Sequence, residues 1–219
     1  MFVVQIYTIY LYLIGQYAFF PLQILRLLGI ISAYAYFRFK NPVNLFPFCL
    51  SGFFLIFMMF QGWDYWIHFR NFGTFTGRVN RYNLPTKFES FNENKESTTD
   101  SNFNNKIVLL DFWTTTCGVC FQKFPQLQAV YERYQQDSSV LILAVDTPLE
   151  EDKPNQAFEM IKQRNYTLPV VITKEADLAE KWGVVGYPTT FVINPTGQIV
   201  YKGSIEGAIR MVDELKANK

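Results

Sequence analysis

Acidic side chains are missing from the first 62 residues, and Arg26, Arg38 and Lys40 are the only basic ones there. The remainder carries 17 basic and 19 acidic residues, an ordinary soluble mixture. A surface so poor in charge excludes a soluble fold for the first third and fits a membrane segment. Cysteine is scarce as well: three in 219 residues exclude a disulfide-stapled secreted scaffold. His68 is the only histidine. Tetrahedral zinc needs four ligands, so a zinc site would have to be shared between copies, and no metal or cofactor is expected. A net charge of +1 leaves no footprint for nucleic acid. No internal repeat occurs.

What the first third does contain is apolar. Phe2 to Phe37 is apolar almost throughout, interrupted by Gln5, Gln16, Pro21, Gln23 and Arg26. As one helix it runs to roughly 54 Å against a hydrocarbon core of about 30 Å, with Pro21 as a plausible break. Leu45 to Phe60 is a second apolar block, and Gln61 to Trp66 supplies an interfacial aromatic belt. Two or three spans are expected. The division is then a membrane segment over 1–66, a juxtamembrane connector over 67–83 and a soluble domain over 84–219. Arg38 and Lys40 place the loop before the last span in the cytoplasm, which delivers the soluble domain to the exoplasmic side; Arg70, Arg78 and Arg81 pull the other way. No basic stretch precedes the apolar run, so a cleavable signal peptide is not expected. Within these runs Cys49 reads as a small buried hydrophobe and Arg26 as a snorkelling side chain.

The soluble part alternates strands and helices. Glu89 to Asn105, rich in Asn, Ser, Thr and Glu, reads as turns or a loose hairpin. Ile107 to Trp113 and Val140 to Val145 read as buried strands, with a helix from Phe121 to Gln136 between them. Pro154 opens a helix to about Arg164. A short strand (Pro169 to Thr173) and a short helix (Ala176 to Trp182) follow. Thr189 to Asn194 and Gln198 to Tyr201 flank the turn Asn194-Pro195-Thr196-Gly197. Ser204 caps a closing amphipathic helix with Glu206 in its first turn. A mixed sheet covered by helices follows from this order.

Cys117-Gly118-Val119-Cys120 comes directly after the first buried strand. Thiol–disulfide exchange needs a sulfur at a helix start, where unpaired N–H groups stabilise a thiolate, and a second sulfur one turn away. Asp111, an acid inside an apolar strand, is costly unless paired or protonated, which makes it either a proton acceptor or a structural hydrogen-bonding group. Trp113 reads as core packing beside the site, and Pro125 as a kink in the helix. The triplet Asn165-Tyr166-Thr167 fits a glycosylation acceptor but arises readily by chance.

The segment Val108 to Pro125 resembles the active-site segment of the thioredoxin fold. Trp182 to Val200 looks like that fold's cis-proline strand and hairpin. The added helix and strand over Pro154 to Val171, with the membrane anchor, are similar to the TlpA/ResA-like branch of thiol–disulfide oxidoreductases. The resemblance implies a thioredoxin fold, with a mixed central sheet, flanking helices and an inserted helix and strand, preceded by transmembrane helices. It implies Cys117 as nucleophile, Cys120 as resolving thiol and Asp111 as the buried carboxylate beneath the redox disulfide. Pro188 is implied to be cis, and Tyr187, Pro188, Gly118 and Val119 to form the substrate-docking surface. Partners implied are protein thiols and disulfides, apocytochrome c among them, and a transmembrane thiol electron carrier. The implied location is the bacterial inner membrane, with the soluble domain periplasmic and acting as a reductase. The chain departs from the family pattern at Thr116, where tryptophan is usual, and at Val119, where many members have proline. Two other classes stay open. A thiol peroxidase would use Thr114-x-x-Cys117, although position 110 is Leu where those enzymes carry proline. A non-enzymatic binding or scaffold module is the other, although modules of that kind usually lose one or both cysteines.

Overall fold

The structure, a computed structural model, describes residues 20–38 and 45–218. The chain divides into two units, Met1–Arg70 and Asn71–Lys219.

The first unit contains α1 (Phe20–Arg38) and α2 (Leu45–Phe57), followed by a π-helical turn (Met58–Gly62); α3 (Trp63–Phe72) begins in it and ends in the second unit. The hydroxyls of Ser32 and Ser51 share a hydrogen bond of 3.2 Å between α1 and α2. Apolar side chains stay outward on both helices, Leu27, Ile31, Phe53 and Ile56 among them. Cys49 is exposed on α2, so the reading of it as a buried hydrophobe is corrected. Among the described residues no helix is long and apolar enough to cross a membrane. The expected spans rest in part on residues 1–19 and 39–44, which lie outside the described residues.

The second unit is built on a sheet of eight strands: β1 (Arg78–Asn83), β2 (Glu89–Phe91), β3 (Ser97–Thr99), β4 (Ile107–Trp113), β5 (Val140–Asp146), β6 (Val170–Thr173), β7 (Thr189–Ile193) and β8 (Gln198–Gly203). Their order across the sheet is β1-β8-β7-β4-β5-β6-β2-β3. β4 runs parallel to β5 and antiparallel to β7, while β5 and β6 are parallel. The remaining pairs are antiparallel, so the sheet is mixed. Every residue of β4 is buried, as an apolar run must be when both faces of a central strand are covered.

The faces sort by the two-residue period of a strand. Ile107, Leu109 and Trp113 belong to one core, with Phe124 and Leu127 of α4 (Gly118–Tyr134), Phe158 and Ile161 of α5 (Gln156–Gln163), and Ala208 and Val212 of α7 (Ile205–Ala217). Val108, Leu110 and Phe112 join the other, with Phe88, Phe103, Leu178 of α6 (Leu178–Lys181) and Trp182. Trp182 fills that side edge-on to Phe191, with ring centres 5.3 Å apart. Each such fully buried apolar side chain stabilises the fold by roughly 1.5–3 kcal/mol. Asp111 shares the odd-numbered face of β4, the face that α4 covers.

Several boundaries differ from the sequence reading for local reasons. The helix expected from Pro154 begins at Gln156, because Asn155 takes a left-handed conformation (φ 64°) that interrupts the turn. Arg78–Asn83, read as part of the connector, is the edge strand β1 on β8. The loose hairpin is β2–β3, and β2 is recruited onto β6, which extends the sheet. The turn after β7 is held by Asn194, whose Oδ1 accepts from the backbone N–H of Thr196 (3.1 Å) and of Gln198 (2.9 Å). Gly197 there takes φ 79°, which a side chain would disfavour.

Candidate active site

β4 ends at Trp113, and a three-residue turn delivers the chain to Cys117, the N-cap of α4. The Cys117 sulfur accepts a hydrogen bond from the backbone N–H of Cys120 at 3.2 Å. The Cys117 carbonyl takes the same N–H at 3.1 Å and that of Phe121 at 3.4 Å. The sulfur therefore occupies the place that a serine or aspartate oxygen fills in an ordinary cap. A thiolate at that position gains from the N–H and from the positive end of the helix dipole, which favours the attacking form of the sulfur.

Cys117 and Cys120 are joined as a disulfide, with Cα atoms 5.3 Å apart. The two sulfurs are not equivalent. Cys117 is half-buried, whereas Cys120 is fully buried under α4. An incoming thiolate can reach Cys117 only. Gly118 and Val119 lie exposed between them, and Val119 keeps about half of its side chain in solvent.

Trp113 seals the site from below, edge-on to Phe121 at 5.6 Å and to Phe124 at 5.0 Å. This supports its reading as core packing. Pro125 lies within α4, which continues through it to Tyr134.

Asp111 is buried, and its register partner on β7 is Thr190. The Thr190 hydroxyl donates to Asp111 Oδ1 at 2.6 Å. Burial pushes the Asp111 carboxyl up from the usual carboxylate range to about 7; the Thr190 bond opposes this and the nearby Glu206 carboxylate adds to it. Glu206 in turn is ion-paired with Lys123, one turn beyond Cys120 on α4. Asp111 thus lies, buried and with a raised pKa, on the face of β4 that α4 and its buried Cys120 cover.

The peptide bond between Tyr187 and Pro188 is cis, two residues before Thr190. Tyr187 packs against the same core as Cys117 and Phe121. Val185, three residues before Pro188, is largely exposed. Thus Cys117, Cys120 and Asp111 gather at the end of β4, with Tyr187 and Pro188 brought to it by β7. Sequence reasoning missed Thr190 and the pair Lys123–Glu206. Only the strand register reveals the first, and only the packing of α7 against α4 the second.

This arrangement defines a class: a thioredoxin-fold domain carrying a dithiol/disulfide pair at a helix start. The chain belongs to the AhpC/TSA family, whose profile matches residues 83–202. It is 30% identical over 92 residues to sporulation thiol-disulfide oxidoreductase A of Bacillus subtilis (strain 168), covering 42% of this chain and 55% of that protein. It is 32% identical over 99 residues to thiol-disulfide oxidoreductase ResA of Bacillus thuringiensis subsp. konkukian (strain 97-27), covering 45% and 54%. The chain thus spans about half the length of the curated relatives it matches. Among solved structures it superposes on the thioredoxin domain of a Bacteroides vulgatus thiol-disulfide oxidoreductase with a TM-score of 0.53 and 20% identity, covering 62% of this chain and 97% of that one. That likeness establishes the thioredoxin fold.

Proposed function

We propose that the chain is a membrane-anchored thiol–disulfide oxidoreductase that exchanges the Cys117–Cys120 pair with protein cysteines, as a reductase on the exoplasmic side. One observation carries the reading: the half-buried sulfur caps a helix while its partner is sealed beneath it. The reductive cycle follows from that asymmetry. The Cys117 thiolate attacks one sulfur of a partner disulfide, forming a mixed disulfide and releasing the partner's other sulfur as a thiolate. Cys120, deprotonated with Asp111 as acceptor, then attacks Cys117, closing the internal disulfide and releasing the second partner sulfur. Two electrons pass to the partner, and the pair must be reduced again by a thiol donor. Gly118, Val119, Tyr187 and Pro188 form the docking surface, the backbone at Tyr187 meeting an extended substrate as a neighbouring strand would. Apocytochrome c as substrate class and a transmembrane thiol carrier as electron source belong to the proposal through the resemblance of the motif segments to the TlpA/ResA-like branch.

The test is reduction of a protein disulfide by the reduced chain. Wild type is expected to turn over and Cys117→Ser to be inert. A reduction potential near about −270 mV fits a reductant, whereas one near −120 mV reverses the direction. The family match, with Thr114 three residues before Cys117, favours a second reading as a thiol peroxidase. Consumption of hydrogen peroxide that depends on Cys117, without reduction of protein disulfides, would establish that reading instead.

The anchor rests on the near absence of charge before Gly62 and on the outward apolar side chains of α1 and α2. The full chain is expected to stay with the membrane fraction through alkaline extraction, with the Asn71–Lys219 unit open to protease from the exoplasmic side. Release into the soluble fraction, or protection from that side, overturns the anchor or its orientation.

A further inference from the structure

β5 ends in Asp146, a buried acid that the exchange cycle does not use. Its register partners are Trp113 on β4 and Ile172 on β6, so it faces the layer that holds α4 and α5. Asp146 Oδ1 is buried and has no hydrogen-bond partner. A carboxylate without donors in such a place costs several kcal/mol, so it must take up a proton or receive a donor from outside the fold.

The space beside it is a cleft of about 400 Å³, lined by Thr115, Asp146, Leu149, Asp152, Ala157 and Ile172. This is the size range of ligand sites, and it holds a long side chain with its adjoining backbone. Asp152 is already engaged: its carboxylate accepts from the Thr115 hydroxyl and, at 2.8 Å, from the backbone N–H of Leu149. Its charge adds to burial in pushing the Asp146 carboxyl up to about 7. Three lysines also line the cleft, all with exposed side chains. Lys174 pairs with Glu89 at 3.4 Å, Lys95 lies over the Phe91 ring at 4.9 Å, and Lys153 is the third. Their flexible stems let them swing aside in water, where salt screens them; the buried carboxylate cannot move. The acids are the groups held in place: Asp146 is buried, and Asp152 is half-buried and bonded to Thr115 and Leu149.

Position gives the cleft a purpose. Thr115 lines it and is two residues from Cys117, so their Cα atoms are no more than about 7.6 Å apart. The cleft wall at Thr115 therefore lies within two residues' span of the attacking sulfur's own backbone.

We propose that the cleft is a specificity subsite that takes a lysine or arginine side chain of the substrate polypeptide near its reacting cysteine, the cationic head meeting Asp146. The proposal rests on the exchange reading above and names the substrate class it prefers: cysteines with a basic neighbour. Lysine supplies three N–H donors and arginine five, enough to satisfy the orphan oxygen and to offset the charge of Asp152.

Binding and exchange are measured separately. For binding, a fluorescent peptide carries serine in place of its cysteine, with lysine placed two, three or four residues to either side. Norleucine and glutamate versions serve as controls. The full-length wild-type chain is expected to bind at least one lysine register about tenfold or more tightly than its norleucine counterpart, and the glutamate version weakest. In Asp146→Asn, with its fold checked by circular dichroism, the lysine-to-norleucine ratio is expected to fall to near one. Equal affinities for lysine and norleucine in every register overturn the proposal, leaving the cleft to solvent. So does a lysine preference that survives Asp146→Asn. The peptide series decides on wild type alone if that variant does not fold. Peptides with the cysteine restored as a disulfide then test exchange. If they are bound with a lysine preference but never reduced, the exchange reading fails and the subsite stands.

Discussion

Cys120→Ala converts a turnover catalyst into a covalent trap. Removing the sulfur under α4 leaves Cys117 at its cap, still half-exposed and still facing the Cys120 backbone N–H, so the first attack on a partner disulfide proceeds. What is lost is an intramolecular nucleophile one turn away, whose proximity is worth roughly two orders of magnitude or more over a free thiol at ordinary concentration. Mixed disulfides with partner proteins are therefore expected to accumulate on non-reducing gels and to vanish on reduction, while turnover falls at least about a hundredfold. The double variant with Cys117→Ser is expected to form none. Both variants are expected to fold, since alanine fills most of the volume of a buried cysteine and serine sits at a half-exposed cap. An absence of adducts in Cys120→Ala under conditions where wild type reduces its substrate would show that Cys117 is not the attacking sulfur. The identity of the trapped proteins would at the same time reveal whether basic residues cluster near their reacting cysteines.

The parts of the fold that were legible in the sequence are those that a single residue type or period dictates. The apolar run of β4 followed by Cys117-Gly118-Val119-Cys120 could hardly be anything but a buried strand feeding a helix. Pro188 and the turn at Asn194 marked β7 and β8. The strands at the sheet's margins were legible only as a loose hairpin and a connector. β2 and β3 are three residues each and largely polar, and their pairing, β2 with β6 and β3 with β2, specifies them more than their own pattern does. Arg78–Asn83 carries no clean alternation, and its register on β8 shifts at a bulge. The same limit applied to the site. Asp111 stood out as an acid among apolar neighbours, but Thr190 is only one of two threonines after Pro188 until the register sets it opposite. Asp146 was passed over because the apolar run reads as ending at Val145, and a strand's last polar residue looks like the start of a loop. Only the packing of α5 and the turn before Cys117 around it shows that it is buried.

Asp111→Asn is expected to raise stability and lower activity at the same pH, a pairing that a structural role alone does not give. The carboxyl is pushed up from 3.8 to about 7, chiefly by burial. Below about pH 4 it is protonated in folded and unfolded chains alike and contributes no pH dependence. Between about 4 and 7 the folded state holds a proton that the unfolded state has released, so stability falls as pH rises; above about 7 the loss is complete. Three pH units correspond to at most about 4 kcal/mol. Asparagine keeps an oxygen to accept the Thr190 hydroxyl and carries no charge to bury. At pH 8 the oxidised Asp111→Asn chain is therefore expected to be more stable than wild type by about 2–4 kcal/mol, and at pH 4 by much less, measured by denaturant unfolding. Asp146 is pushed up to about 7 as well, so a smaller downward slope across the same range remains in the variant. Catalysis moves the other way. Cys120 must lose its proton to resolve the mixed disulfide, and without the Asp111 carboxylate that proton has to pass to a more distant base or to water. The resolution rate of wild type is expected to rise through an inflection near pH 7, and that of Asp111→Asn to be at least about tenfold slower at pH 7 with no such inflection. Rates that coincide across the pH range would remove the proton-acceptor role, and equal stabilities at pH 8 would show that the buried carboxylate is paired more strongly than its single bond to Thr190 indicates.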